Sequence, residues 1–152
     1  MSCFTLRIRV RYNECDAQNV VFNARYADYA DLASTEFLRA ALGGYQELLA
    51  QGFENQIVKL LIQWKAPARF DDVLDLNVSL GCIGKSSFTL HTNFVNRATQ
   101  QTLATAEAVY VFVKASDFCS CAIPDFVRSK FESGLDFGLI DQSGAVTRPM
   151  GV

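Results

Sequence analysis

The sequence predicts an α+β domain in which one antiparallel sheet of about five strands packs against one long helix. Three observations lead there: a strict period of two near the amino terminus, an apolar stripe at steps of three and four immediately after it, and a run of apolar segments separated by turn residues. With 152 residues, 50% of them hydrophobic, the chain holds roughly one domain and one sizeable core.

Phe4, Leu6, Ile8, Val10 and Tyr12 alternate with Thr5, Arg7, Arg9 and Arg11, which describes a first strand with one wet face. The polar run Asn13-Glu14-Cys15-Asp16-Ala17-Gln18-Asn19 reads as a loop. Phe22, Tyr26, Tyr29, Ala30, Ala33, Phe37 and Ala41 then mark one side of a helix over residues 24–42, about 28 Å long, which Gly43-Gly44 ends. A short helical turn at 45–51 precedes four strands, placed at 56–66, 73–82, 86–96 and 102–114. The gaps between them, Pro67 to Asp72, Gly84-Lys85 and Arg97 to Gln101, are short enough to favour antiparallel neighbours. Leu74, Leu76, Val78 and Leu80 face one way, as do Phe88, Leu90, Thr92 and Phe94, so each strand has one packed face. Pro124 opens a last short helix through about Phe131. Residues 1–134 form the single expected domain, and 135–152, without any sustained period, form a tail expected to be mobile.

Fourteen Lys and Arg against sixteen Asp and Glu leave a formal charge of -2, so no basic field exists for a nucleic-acid partner. Arginines interrupt every early apolar stretch, and the expectation is a soluble, unprocessed, cytoplasmic chain without a membrane span. Five cysteines without a C-x-x-C pair, beside the single histidine His91, fit neither a zinc ribbon nor a disulfide scaffold. Reduced, mostly buried thiols are expected, with Cys119-Ser120-Cys121 the one pair close enough for an adventitious disulfide or metal contact. No metal and no cofactor is expected. A sheet of this size leaves an edge strand unprotected, which implies a homodimer or a homotetramer.

Asp16 is the leading candidate for chemistry, because a carboxylate in the loop that enters the long helix faces the positive end of the helix dipole and its unpaired amides. Taken alone, an aspartate in a strand-to-helix turn is most often a turn or capping residue.

The segment Asp16-Ala17-Gln18-Asn19-Val20-Val21-Phe22-Asn23-Ala24-Arg25-Tyr26 resembles the D-x-x-G-x-V-(F/Y/W)-(H/N/Y)-x-x-Y segment of hotdog-fold acyl-CoA thioesterases, the 4-hydroxybenzoyl-CoA thioesterase-like group. The resemblance continues through Thr35-Glu36-Phe37-Leu38-Arg39, the turn Trp64-Lys65-Ala66-Pro67-Ala68-Arg69-Phe70-Asp71-Asp72, the hairpin Ile83-Gly84-Lys85-Ser86-Ser87-Phe88 and a final strand from Ala104 to Val113, covering residues 4–133. It implies a hotdog fold, a five-stranded antiparallel sheet wrapped around one long central helix. It further implies hydrolysis of an acyl-CoA thioester to free acid and CoA, with an acyl carrier protein thioester as the other carrier. Asp16 would act as nucleophile or general base, and backbone N–H groups at the helix start, that of Asn23 foremost, would form the oxyanion hole. Two positions depart from the family pattern. Asn19 stands where glycine is common, and asparagine tolerates a left-handed backbone. Asn23 stands where many relatives carry histidine, and asparagine cannot shuttle a proton at neutral pH.

Phe22, Tyr26, Tyr29 and Phe53 are candidates to line an acyl pocket, against the alternative that the helix aromatics are core. Arg69 and Lys85, with Arg97 behind them, are candidate cations for the CoA phosphates. His91 reads as a surface or subunit-interface residue, Glu14 and Glu36 as supporting or solvated carboxylates, and Asp28 and Asp31 as a solvated face. Two other functions share the fold in this family: a dehydratase or hydratase, which needs a histidine beside the carboxylate, and a non-catalytic acyl-CoA sensor, which ordinarily carries a further domain.

Overall fold

The computed structural model describes residues 2–144. Strand β1 (Cys3–Arg9) leads through a single 3-10 turn at Tyr12–Glu14 and a loop to helix α1 (Arg25–Leu42), followed by the short helix α2 (Tyr45–Ala50). Four strands follow: β2 (Phe53–Trp64), β3 (Val73–Ile83), β4 (Ser87–Asn96) and β5 (Thr102–Lys114). Helix α3 (Asp125–Glu132) and strand β6 (Asp136–Asp141) complete the described chain.

All six strands form one sheet in the order β2-β5-β4-β3-β1-β6. Alternation sorts its faces. Phe4, Leu6, Ile8, Leu74, Leu76, Val78, Phe88, Leu90 and Phe94 are buried in one core cluster with Tyr26, Ala30, Ala33, Phe37 and Ala41 of α1. The alanines let helix and sheet approach closely, while Phe37, fully buried, fills the centre against Phe4, Phe131 and Phe137 at ring separations of 6.5, 6.0 and 5.8 Å. Helix α1 ends as expected, with Gly43 at φ 86° donating its N–H to the Arg39 carbonyl. On the opposite face of the sheet, Arg7 pairs with Asp75 through two hydrogen bonds of 2.7 and 3.2 Å.

The structure corrects several expectations. The described residues hold six strands: residues 136–141, expected in the tail, pair parallel to β1, anchored by Arg7 to Asp141 at 3.6 Å and by the Gln142 N–H to the Arg7 carbonyl. The remainder of the expected tail, 145–152, lies outside the described residues. Strands β2 and β3 are not neighbours despite their short link, because β1 and β4 already occupy both edges of β3. Residues 65–72 therefore run from one side of the sheet to the other. Tyr12 leaves the strand and stands 81% exposed, and Phe22 precedes α1 and is exposed instead of joining its stripe. The five cysteines are free thiols, but none is buried. No described helix is long and apolar enough to cross a membrane.

The two sheet edges differ. Strand β6 is short, irregular in register and carries Asp136 and Asp141, features that blunt an edge. Strand β2 is long, and Ile57, Val58, Leu60, Leu61 and Trp64 are all exposed along it.

Phe37→Ala should leave a cavity at the junction of α1, α3 and β1 and lower the unfolding free energy by about 3–5 kcal/mol. Urea denaturation followed by far-UV circular dichroism measures it, and a loss below about 1 kcal/mol would mean that the helix is not held by this ring.

Candidate active site

The loop between β1 and α1 is a miniature hairpin. The Phe22 N–H donates to the Glu14 carbonyl at 2.9 Å, Cys15 bridges Val21, and the Asp16 N–H donates to the Val20 carbonyl at 2.9 Å. Its tip turns through Asn19, which has φ 61° and donates its N–H to the Asp16 carbonyl. Asparagine thus supplies the left-handed residue that glycine supplies elsewhere. The crossing segment 65–72 covers this hairpin from the other side, with Val20 bridging Arg69 and the Val21 N–H bound to the Ala68 carbonyl at 2.8 Å.

Asp16 is half-buried within this frame. Its Oδ1 accepts the Gln18 N–H at 2.8 Å, while Oδ2 takes no hydrogen bond among the described residues. Amide accounting at the helix start isolates a few donors. The N–H groups of Arg25, Tyr26 and Ala27 donate to the carbonyls of Phe22, Asn23 and Ala24 at 2.9, 3.3 and 3.2 Å. Those of Asn23 and Ala24 have no acceptor among the described residues. A free carboxylate oxygen and the free amides of Asn23 and Ala24, with those of Ala17 and Val20 likewise unpaired among the described residues, therefore share one short, held loop at the positive end of an 18-residue helix.

Glu14, two residues before Asp16, is 5% exposed. Its Oε1 accepts the Arg11 N–H at 2.7 Å and the Tyr29 hydroxyl at 2.9 Å, and its Oε2 accepts the Arg11 guanidinium at 3.0 Å. Burial alone would raise its pKa, but the guanidinium and amide of Arg11 and the Tyr29 hydroxyl together hold it below the ordinary glutamate value. Burial first, and then the bond to Glu14, push the Tyr29 hydroxyl far above the tyrosine range, so it remains a donor.

The candidate residues fall into two groups. Asp16, Phe22, Asn23, Tyr26, Tyr29 and Arg69 gather around the loop. Tyr26 and Tyr29 are buried, and Tyr26 packs edge-on against Trp64 at 6.3 Å. Phe53 and Lys85 lie at the other end of the sheet, where Phe53 meets Phe126 at 6.5 Å and the Lys85 carbonyl accepts the Ile123 N–H. The length of β2 and β3 separates the groups by on the order of 35 Å. His91 is exposed on the polar face opposite Glu107, and Glu36 is buried with Arg39 at 3.1 Å. The structural tie between Glu14 and Tyr29 was missed by sequence reasoning. Its signal was the spacing Arg11-x-x-Glu14, in which an acidic side chain reaches back to the N–H three residues before it.

Residues 10–131 match the model of the thioesterase-like superfamily. The chain is 30% identical over 129 residues, 85% of this chain and 96% of the relative, to the acyl-CoA thioester hydrolase YbgC of Escherichia coli O6:H1. A gentisyl-coenzyme A thioesterase structure superimposes with a TM-score of 0.75 at 26% identity, over 84% of this chain and 99% of that one. The 1,4-dihydroxy-2-naphthoyl-CoA thioesterase of Synechocystis shares the fold with a TM-score of 0.79 at 20% identity, over 86% and 96% of the two chains. The architecture is the expected hotdog fold.

Because Glu14 has a lowered folded-state pKa, its charge contributes stability above the unfolded value, and that contribution is lost as pH falls through the folded one. The stability advantage of the wild type over Glu14→Gln should be full at neutral pH and shrink below about pH 4. Urea midpoints across a pH series measure it, and a gap that widens on acidification would contradict the assignment.

Proposed function

The chain belongs to the thioesterase-like superfamily, and from that premise we propose that it hydrolyses an acyl-CoA thioester at the loop before α1, with Asp16 as the reactive group. The observation that supports this reading is the pairing of an unengaged Asp16 oxygen with the unengaged amides of Asn23 and Ala24 on one loop. A tetrahedral intermediate places negative charge on the former carbonyl oxygen, and preorganised N–H groups at a helix start stabilise it. Asp16 works on the carbonyl carbon directly or through a water from which it takes a proton. Collapse of the intermediate expels the CoA sulfur as thiolate. On the water route the proton held by Asp16 passes to the sulfur and the free acid leaves at once; on the direct route an acyl–Asp16 anhydride remains, which a water hydrolyses to free acid and the regenerated carboxylate while the thiolate takes its proton from solvent. Asn23 has no titratable group at neutral pH, so proton movement falls to Asp16. A dehydratase would need an imidazole at this carboxylate, and His91 lies instead on the outer, polar face of the sheet.

The complete site is formed by two subunits in this reading. Strand β2 presents an apolar, unpaired edge, and two-fold symmetry makes two such edges pair antiparallel. Antiparallel pairing sets the Phe53 and Lys85 end of one subunit beside the Asp16 and Arg69 end of the other. Phe53 and Phe22 then border the acyl group, and Lys85 and Arg69 border the phosphates of CoA.

Asp16→Asn should lower turnover of benzoyl-CoA or hexanoyl-CoA at least about a hundredfold, roughly 2.7 kcal/mol in activation free energy, with an unchanged melting temperature. Thiol release measures the rate. Turnover within about threefold of wild type would leave Asp16 as a turn residue. For the assembly, sizing coupled to light scattering should show a dimer or a multiple of it. Val58→Asp on the β2 edge should shift it to monomer and abolish turnover in parallel. A fully active monomer would overturn the shared site.

A further inference from the structure

We infer that Glu14 is a positioning residue for Asp16, holding the catalytic loop in register with helix α1 through Tyr29. The inference rests on the assignment of Asp16 proposed above. Glu14 forms the base of the hairpin that carries Asp16, because its own carbonyl accepts the Phe22 N–H at 2.9 Å and its N–H donates to the Arg11 carbonyl at 3.1 Å. Main-chain bonds close the hairpin on itself, tie its far strand to Ala68 and carry it into α1 through the Phe22 carbonyl and the Arg25 N–H. The Glu14 side chain adds a buried tie from the near strand to the body of the helix. Oε1 binds the Tyr29 hydroxyl, which projects from the second turn of α1, and the same oxygen binds the Arg11 N–H at the exit of β1. One carboxylate oxygen thus joins the strand, the loop and the helix that the free amides of Asn23 and Ala24 directly precede.

The arrangement has the economy of a support. Tyr29 is 3% exposed and Glu14 is 5% exposed at the floor of the cleft between β1 and α1, and both polar tips are committed to each other, so water competes little for their bond. The remaining oxygen of Glu14 is covered by the Arg11 guanidinium, which leaves no lone carboxylate to act as a second base. Asp16, only two residues away, is the opposite case: one of its oxygens is committed to the Gln18 N–H and the other is open. Reaction geometry is steep in distance, and a shift of about 1 Å in a catalytic group is enough for a large loss of rate. A loop anchored at its base by a buried bond between ionised and neutral partners is therefore a rate-determining part of the fold without touching the reactants.

The test is a set of variants assayed by thiol release from benzoyl-CoA and hexanoyl-CoA, each first shown folded by circular dichroism at the assay temperature. Glu14→Ala should lower kcat about thirtyfold with KM within about twofold of wild type, and Glu14→Gln, which keeps an oxygen for Tyr29 and for the Arg11 N–H, should recover to within about threefold. Tyr29→Phe should lower kcat about fivefold and keeps the question decidable if Glu14→Ala does not fold. In an Asp16→Asn background, Glu14→Ala should cost less than about a further twofold, because a residue that acts through Asp16 has nothing left to position. Wild-type kcat in folded Glu14→Ala or in Tyr29→Phe would overturn the inference. A full additional loss in the Asp16→Asn background would also overturn it, since that describes general damage to the fold. Undiminished turnover in Asp16→Asn by itself would remove the Asp16 assignment and this inference with it, a failure read on a different variant.

Discussion

One helix has to cover one face of a six-stranded sheet, and the rest of the molecule follows from how α1 meets that demand. Its buried side alternates small and large residues, with Ala30, Ala33 and Ala41 set against Tyr26, Tyr29 and Phe37. Alanines bring the backbone close to the sheet, and aromatics fill what remains at the ends and centre. A helix seated this firmly has a fixed N-terminus, and a fixed N-terminus is a stationary source of positive potential and free amides. In the proposed reading, chemistry at that end inherits the rigidity of the core.

The loop that exploits this position is short and heavily hydrogen-bonded. Between Arg11 and Ala27 most main-chain donors have a partner among the described residues, and of those that have none, the N–H groups of Asn23 and Ala24 are the ones that directly precede α1. The cost of leaving such groups unpaired is tolerated at functional sites, where a substrate atom completes them. Residues 65–72 contribute from the other side, and their route follows from the topology. With both edges of β3 occupied, the chain must travel from β2 at one side of the sheet to β3, and it passes over the hairpin that holds Asp16.

Edges decide what lies beyond one protomer. Strand β6 protects its side of the sheet by being short, irregular and acidic, whereas β2 combines length with exposed Ile57, Val58, Leu60 and Leu61. Phe53 and Lys85 sit far from Asp16 within one chain. A symmetric pairing through β2 is the arrangement that would bring both groups of residues to one ligand.

Periodicity in the sequence sufficed to identify β1, α1 and the three successive strands β3, β4 and β5, because each buries a single face and a one-residue slip would expose it. The left-handed residue at Asn19 and the helix stop at Gly43 were legible for a similar reason, since few residues adopt those backbone angles. The segment around Asp16 was legible as a pattern but carried no proof of chemistry, because an aspartate before a helix serves equally as a cap. Strand β6 left no periodic signal, as it pairs at an edge and buries little. The order of strands, the separation of Lys85 and Phe53 from Asp16 and the bond of Tyr29 to Glu14 were decided only by the tertiary structure. Each depends on which edges and faces meet across dozens of residues, and local sequence encodes the faces of an element without encoding its neighbour.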